Sequence, residues 1–175
     1  MGKRDHLKDY VPSENGGYEY TGTRWSWPSE EVRSEFIGFS ARRFGVAVAC
    51  VIAAGCVPAD GTFGAFYIVI PFLIAVVGMA LAGAALFRIA REDNPMRDHV
   101  YSSSVPALPA KLLVGALGCG ICGFAALAHG IALLVVGAGG RIALSVVFAA
   151  LMAGGAVCLV LLRAKAEGLV FTSTR

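Results

Sequence analysis

Between Phe44 and Phe87 the chain carries one charged side chain, Asp60, and between Leu112 and Leu162 only Arg141. A soluble domain carries about a quarter charged residues; here the figure is 15%. Uncharged apolar runs of this length are membrane spans. Pro58-Ala59-Asp60-Gly61, the segment Arg88–Lys111 and Gly139-Gly140-Arg141 interrupt them. The pattern predicts an all-α integral membrane protein, a four-helix transmembrane bundle of two hairpins. The expected spans are 43–57, 62–87, 112–137 and 142–162. At 1.5 Å per residue the last three reach about 31 to 39 Å, enough for a core of about 30 Å with some tilt.

The first span is short. Phe44–Val57 covers about 21 Å as helix. It crosses only if the helix begins near Phe36, with Arg42 and Arg43 snorkelling to the headgroups; the alternative is a half-inserted segment. Ser29 reads as an N-cap, with Glu30 and Glu31 at the positive helix end. Val32, Phe36 and Phe39 line one face, so 29–42 reads as an amphipathic interfacial helix feeding the span.

Charge sets the expected orientation. Residues 1–43 hold seven Lys/Arg, the 88–111 loop four and residues 163–175 three, which together make 14 of the 15. The positive-inside rule then places both termini and the long loop in the cytoplasm, in a multi-pass protein of the cell (inner or plasma) membrane. A cleavable leader is not expected, because no apolar stretch follows Lys3 and Arg4. His6 stands where a myristoylation signal needs Ser or Thr. The likeness of "LFRIARE" (86–92) to "LLRAKAE" (161–167) reflects the chemistry of a basic helix C-terminus.

The stretch "GALGCGICGFAALAHG" (115–130) raises the question of chemistry. On a helix Gly115, Cys119, Cys122, Ala126 and His129 share one stripe. His129 stands about 10 Å along the axis from Cys122, whereas zinc bonds are about 2.1 to 2.3 Å. One ion cannot bridge them. Cys50 and Cys158 are the other thiols a metal site with Cys119 and Cys122 would recruit. A redox reading resembles the membrane thiol oxidases, four-helix bundles with Cys-x-x-Cys. Their chemistry works at the outer surface with a loop cysteine pair, and this motif lies in the other half of its span with no loop cysteine. A cysteine set among alanines and glycines behaves as a small hydrophobe, so no metal and no cofactor are expected.

The packing reading is the stronger. Gly115, Gly118, Cys119, Cys122 and Ala126 on the third span match Ala75, Gly78, Ala82 and Ala85 on the second. The fourth offers Ala149, Ala153 and Ala156, and the first Gly45, Ala49, Ala53 and Cys56. Small residues at helical spacing let backbones approach closely in lipid. His129 remains a candidate functional polar residue, since an intramembrane ionisable group is a functional hypothesis by default. No carboxylate or second histidine accompanies it in the spans, which favours a neutral imidazole bonded locally. Pro71 is expected to kink the second span.

The tail "YEYTGTRWSW" (18–27) reads either as a β-hairpin turning at Gly22-Thr23, with Tyr20 facing Trp25 and Tyr18 facing Trp27, or as an interfacial aromatic belt without a hairpin. The spacing resembles designed tryptophan-zipper hairpins. Arg24, Trp25 and Trp27, with no core of their own, read as partner-binding anchors. The loop 88–111 reads as a solvated connector, with Ser102–Ser104 open to phosphorylation and Pro106-x-x-Pro109 as an extended ligand. Partners are membrane lipid and either another protein or a second copy; no basic stripe for nucleic acid exists. The functional expectation is a non-catalytic scaffold or subunit of a membrane complex, acting through its cytoplasmic face. A transporter or channel component using His129 and the Gly/Cys-rich third span is the alternative, and an intramembrane thiol or metal enzyme the second.

Overall fold

The computed structural model of the chain describes residues 10–12, 18–58, 64–137 and 142–174. In chain order these form β1 (Tyr10–Pro12), β2 (Tyr18–Tyr20), β3 (Arg24–Ser26), α1 (Glu30–Gly55), α2 (Phe66–Arg91), β4 (Met96–Arg97), α3 (Asp98–Ser104), α4 (Leu108–Val135), α5 (Ile142–Glu167) and β5 (Thr172–Thr174). The protein is an all-α four-helix bundle whose long helices are apolar enough to cross a membrane. The turn expected at Gly139–Arg141 and most of that at Pro58–Gly61 lie outside the described residues.

The short first span and its interfacial helix are one continuous helix. Ser29 caps it, its Oγ accepting from the Val32 amide at 3.2 Å. No proline interrupts the run from Glu30 to Gly55, and at 1.5 Å per residue its 26 residues span about 39 Å. Arg42 Nε donates to the Gly38 carbonyl at 3.3 Å, and the Arg43 guanidinium lies 5.5 Å from the Phe39 ring centre. Both heads therefore reach one turn back toward the helix N-terminus, the direction in which Cα–Cβ bonds tilt.

The helices pack in the order α1, α5, α4, α2, each neighbour antiparallel to the next. Gly155 lies against Ala47 and Val51, Gly123 against Ala149 and Met152, and Gly78 against Gly115. Phe36, Ile68, Leu112, Phe148, Met152, Leu159 and Leu162 fill the interior. The α2–α4 crossing is the tightest. A Cβ placed on Gly78 would stand 2.5 Å from the Gly115 nitrogen, and one on Gly118 would stand 2.5 Å from the Ala75 nitrogen. The residues expected on these two faces, Ala75, Gly78, Ala82 and Ala85 with Gly115, Cys119, Cys122 and Ala126, are buried.

The stripe on α1 points elsewhere: Gly45, Ala49, Ala53 and Cys56 are exposed, whereas on α5 Ala149 and Ala156 are half-buried and Ala153 is exposed. Their buried faces instead carry Ala47, Val51 and Ala54 on α1, and Phe148, Met152, Gly155 and Leu159 on α5. Helices rich in alanine offer small residues on several faces, so the large side chains decide which turns inward. The chain neighbours α1 and α2 scarcely touch. The Phe44 ring stands between them on Gly83, where a Cβ would come within 3.0 Å of it.

At one end of the bundle three distant segments build a cap. β3 pairs antiparallel with β4 (Arg24 opposite Arg97, Trp25 opposite Met96) and with β5 (Trp25 opposite Ser173, Ser26 opposite Thr172). This corrects the expected hairpin. Both edges of β3 are occupied, and β2 pairs instead with β1, Tyr10 opposite Tyr20. The Gly22-Thr23 bend is held by the Tyr20 phenol, which donates to the Thr23 carbonyl and accepts from the Asp98 amide, both at 3.2 Å. The loop is likewise no mere connector. Met96, Val100, Ser104 and Leu108, four residues apart, are buried in one line. Pro109 sits in the first turn of α4, where its missing N–H costs nothing, so no extended Pro-x-x-Pro ligand is presented.

Candidate functional site

The cap gathers both tryptophans and four of the five tyrosines of the chain at one end. Trp27 packs against Phe36 of α1 and Phe171 before β5, with ring centres 5.7 and 4.7 Å apart, and is 4% exposed. Its backbone N–H donates to Asn94 Oδ1 at 3.4 Å. Trp25 stacks on Tyr101 of α3 and donates from Nε1 to Asp98 Oδ1 at 2.8 Å. The premise that these two rings have no core of their own is therefore corrected: loop and C-terminal residues supply one. Arg24 alone of the three expected anchors is exposed, with Nη2 donating to the Tyr20 carbonyl at 3.3 Å.

An ion pair locks the loop turn. Arg97 donates from Nε and Nη2 to the two carboxylate oxygens of Glu92, and from Nη1 to the Tyr10 hydroxyl at 3.3 Å. These bonds from Arg97 hold the Glu92 carboxyl below the usual carboxylate range despite partial burial. Arg97 is correspondingly harder to deprotonate, first through Glu92 and then through Tyr10. The residues that sequence reasoning missed, Asn94, Met96, Asp98, Tyr101 and Phe171, lie far along the chain from Trp25 and Trp27. The four-residue spacing from Met96 to Leu108 was the available signal.

Inside the bundle, Cys119 and Cys122 are buried on α4, Cys158 is buried on α5 and Cys50 is half-buried on α1; all are free thiols. Among the described residues no three His, Cys, Asp or Glu side chains gather into a group that could hold a metal ion. Cys122 has a local partner. Its thiol donates to the Ile68 carbonyl at 3.5 Å, one turn before Pro71. The carbonyl that Pro71 leaves without its helical N–H is that of Tyr67, four residues back; Cys122 ties α4 to the carbonyl next to it.

Toward the other end of the bundle, Tyr67 Oη and His129 Nδ1 lie 2.5 Å apart, joining α2 to α4. His129 Nε2 is buried without a hydrogen-bond partner. Sequence reasoning singled out His129; the antiparallel α2–α4 contact brings Tyr67 to it.

A comparison with protein families, with curated proteins and with solved structures finds no match to this chain.

Proposed function

We propose that this protein is a non-catalytic membrane scaffold or subunit, oriented with its cap in the cytoplasm, and that a protein partner docks on the cap. One observation carries the reading. Segments before α1, between α2 and α4, and after α5 converge on one three-stranded sheet. A bundle needs only short connectors, so a folded platform built from one connector and the segments flanking the first and last long helices needs another use. Arg24 and Tyr18, the latter 77% exposed, are the anchors left for a partner, since Tyr and Arg are frequent hot-spot residues. Close packing of small residues on α2 and α4 is the proposed means by which the bundle holds together in lipid.

The test is a mild-detergent pull-down with mass spectrometry, run on wild type and on Arg24→Glu with Tyr18→Ala. The reading expects a stoichiometric partner that the double variant loses while it inserts normally. Equal recovery would overturn the docking site. The charge split supports the orientation; a cysteine introduced at position 102 should escape a membrane-impermeant label in intact cells.

A second reading, a transporter or channel component, has one specific support. His129 is a titratable group bonded to Tyr67 with its other ring nitrogen unpartnered, and such groups line ion paths. Proton flux into liposomes that His129→Phe abolishes would select it; no flux from wild type would remove it.

A further inference from the structure

The seam between α1 and α2 is open because the Phe44 ring props the helices apart over Gly83. Two furrows result. One, of about 230 Å³, runs along Phe36, Ile37 and Ser40 of α1 and Leu86, Phe87 and Ala90 of α2. The other, of about 280 Å³, runs along Phe44, Val48 and Ile52 and along Val76 and Ala80. Each covers about nine residues of α1, close to 12 Å of helix, and half of a 30 Å hydrocarbon core is about 15 Å. The walls are apolar except at Ser40.

Two polar atoms there have no partner. Ser40 is 4% exposed, and its hydroxyl is unbonded. Two turns earlier, Arg33 bridges to the end of α2 by donating from Nη2 to the Glu92 carbonyl at 2.9 Å, yet its Nε–H is buried without an acceptor. Residues seven apart lie on nearly the same helix face, so these donors sit one above the other on α1. Across the seam the Arg91 guanidinium lies 5.2 Å from the centre of Phe87, a furrow-lining ring, and has no carboxylate partner among the described residues. Buried donors left unmet are unfavourable, and a ligand that accepts from them gains by it.

We infer that this seam binds one anionic diacyl phospholipid. Its phosphate sits between Arg33 and Arg91, an ester carbonyl accepts from Ser40 Oγ, and an acyl chain lies along the furrow past Phe44. The order of chemistry down the seam matches the molecule: cation, hydroxyl donor, then apolar wall. Arg33 is already paired with Glu30 at 2.6 Å, so Arg91 supplies the excess positive charge that selects an anionic headgroup over a zwitterionic one.

Native mass spectrometry tests this on full-length protein titrated in detergent with dioleoyl phosphatidylglycerol or dioleoyl phosphatidylcholine. The expected result is a monomer carrying one phosphatidylglycerol, retained at lower lipid concentration than phosphatidylcholine. Arg91→Gln should erase that preference, and Ser40→Ala should weaken both lipids, each by about tenfold for one lost bond to a charged or ester group. Ala90→Phe, at an exposed position in the furrow wall, should block binding while the far-UV circular dichroism is unchanged. Equal retention of the two lipids by wild type would overturn the inference. So would unchanged binding in Arg91→Gln and Ala90→Phe, or a protein dimer, lost in Ala90→Phe, occupying the seam in place of lipid.

Discussion

The indole of Trp25 lies flat on the ring of Tyr101, with ring centres 3.9 Å apart and planes 9° from parallel. The indole N–H is satisfied by Asp98, three residues before Tyr101. One side chain from the N-terminal tail is thus held face and edge by the loop between two spans. Phe171, from beyond the last span, meets the same Tyr101 ring edge-on at 5.3 Å. The cap closes only when all four spans have placed their ends together.

Trp27 should therefore behave as a core residue. Trp27→Ala removes a ring packed against Phe36 and Phe171 and should cost about 3–5 kcal/mol. The cost should fall on the cap, because the helices below keep their own contacts. Limited proteolysis should show faster cleavage near residues 20–28 and 168–174, with helical circular dichroism retained. Trp25→Phe, which keeps a ring on Tyr101 and loses the bond to Asp98, should cost only about 1–2 kcal/mol.

The α2–α4 crossing predicts opposite outcomes for two glycines on one helix. In Gly118→Ala the new methyl group would stand 2.5 Å from the Ala75 nitrogen and 2.7 Å from its Cα. Backbone cannot swing aside as a side chain does, so the helices must part, at about 1–3 kcal/mol. Gly120 has open space around it, and Gly120→Ala should be neutral or slightly stabilising, since alanine is the better helix former. Thermal unfolding in one detergent would compare the pair; equal melting temperatures would show that the crossing is looser than drawn.

The spans were legible because apolar length and charge are local properties of the chain. The α2 and α4 contact faces were legible too, since both stripes keep small residues at helical spacing, with Gly78 on one and Gly115 and Gly118 on the other. On α1 the rule misdirected, because Ala49 competes with Val51 for the inward position and the neighbouring helix decides; on α5 it failed at Ala153, which is exposed beside the buried Met152. The cap was hidden for another reason. Its strands are two or three residues long, and each is stabilised by partners more than 60 residues away. The alternation Tyr18, Tyr20, Trp25, Trp27 suggested a local hairpin, whereas the rings found partners on the loop and C-terminal segment. Tyr67 and His129 stayed unpaired on paper because only the helix register brings them together.

The Glu92–Arg97 pair gives the cap a pH dependence of known sign. Arg97 lowers the Glu92 carboxyl below its ordinary value, so the pair's contribution is present above the unfolded value, about 4.3. It fades as pH falls through the lower folded value. Glu92 is 12% exposed and Arg97 45%, and a pair of this kind is worth about 0.5–1 kcal/mol. Arg97→Gln should thus be less stable than wild type at pH 7. The gap should narrow as pH drops below about 4, read from thermal melts of both proteins across the range. A gap independent of pH would mean that the Tyr10 contact or packing, and not the carboxylate, makes the difference.

The cysteines supply a last test, and it needs no activity. Cys56 is exposed just beyond α1, whereas Cys119 and Cys122 are wholly buried between helices. In folded protein in detergent, a maleimide should modify Cys56 rapidly and leave Cys119 and Cys122 untouched until the bundle is unfolded, as read by peptide mass spectrometry. Cys122→Ser should be tolerated, because a hydroxyl can donate to the Ile68 carbonyl in place of the thiol. Cys122→Val should cost about 1 kcal/mol more, since it removes the bond from α4 to the Ile68 carbonyl. Cys119→Ala should lose only the small transfer and cavity terms of a short apolar side chain, about 1 kcal/mol. Stoichiometric metal by elemental analysis, lost when Cys119 and Cys122 are both replaced by Ala, would instead show that the two thiols are ligands and that packing was the wrong account of them.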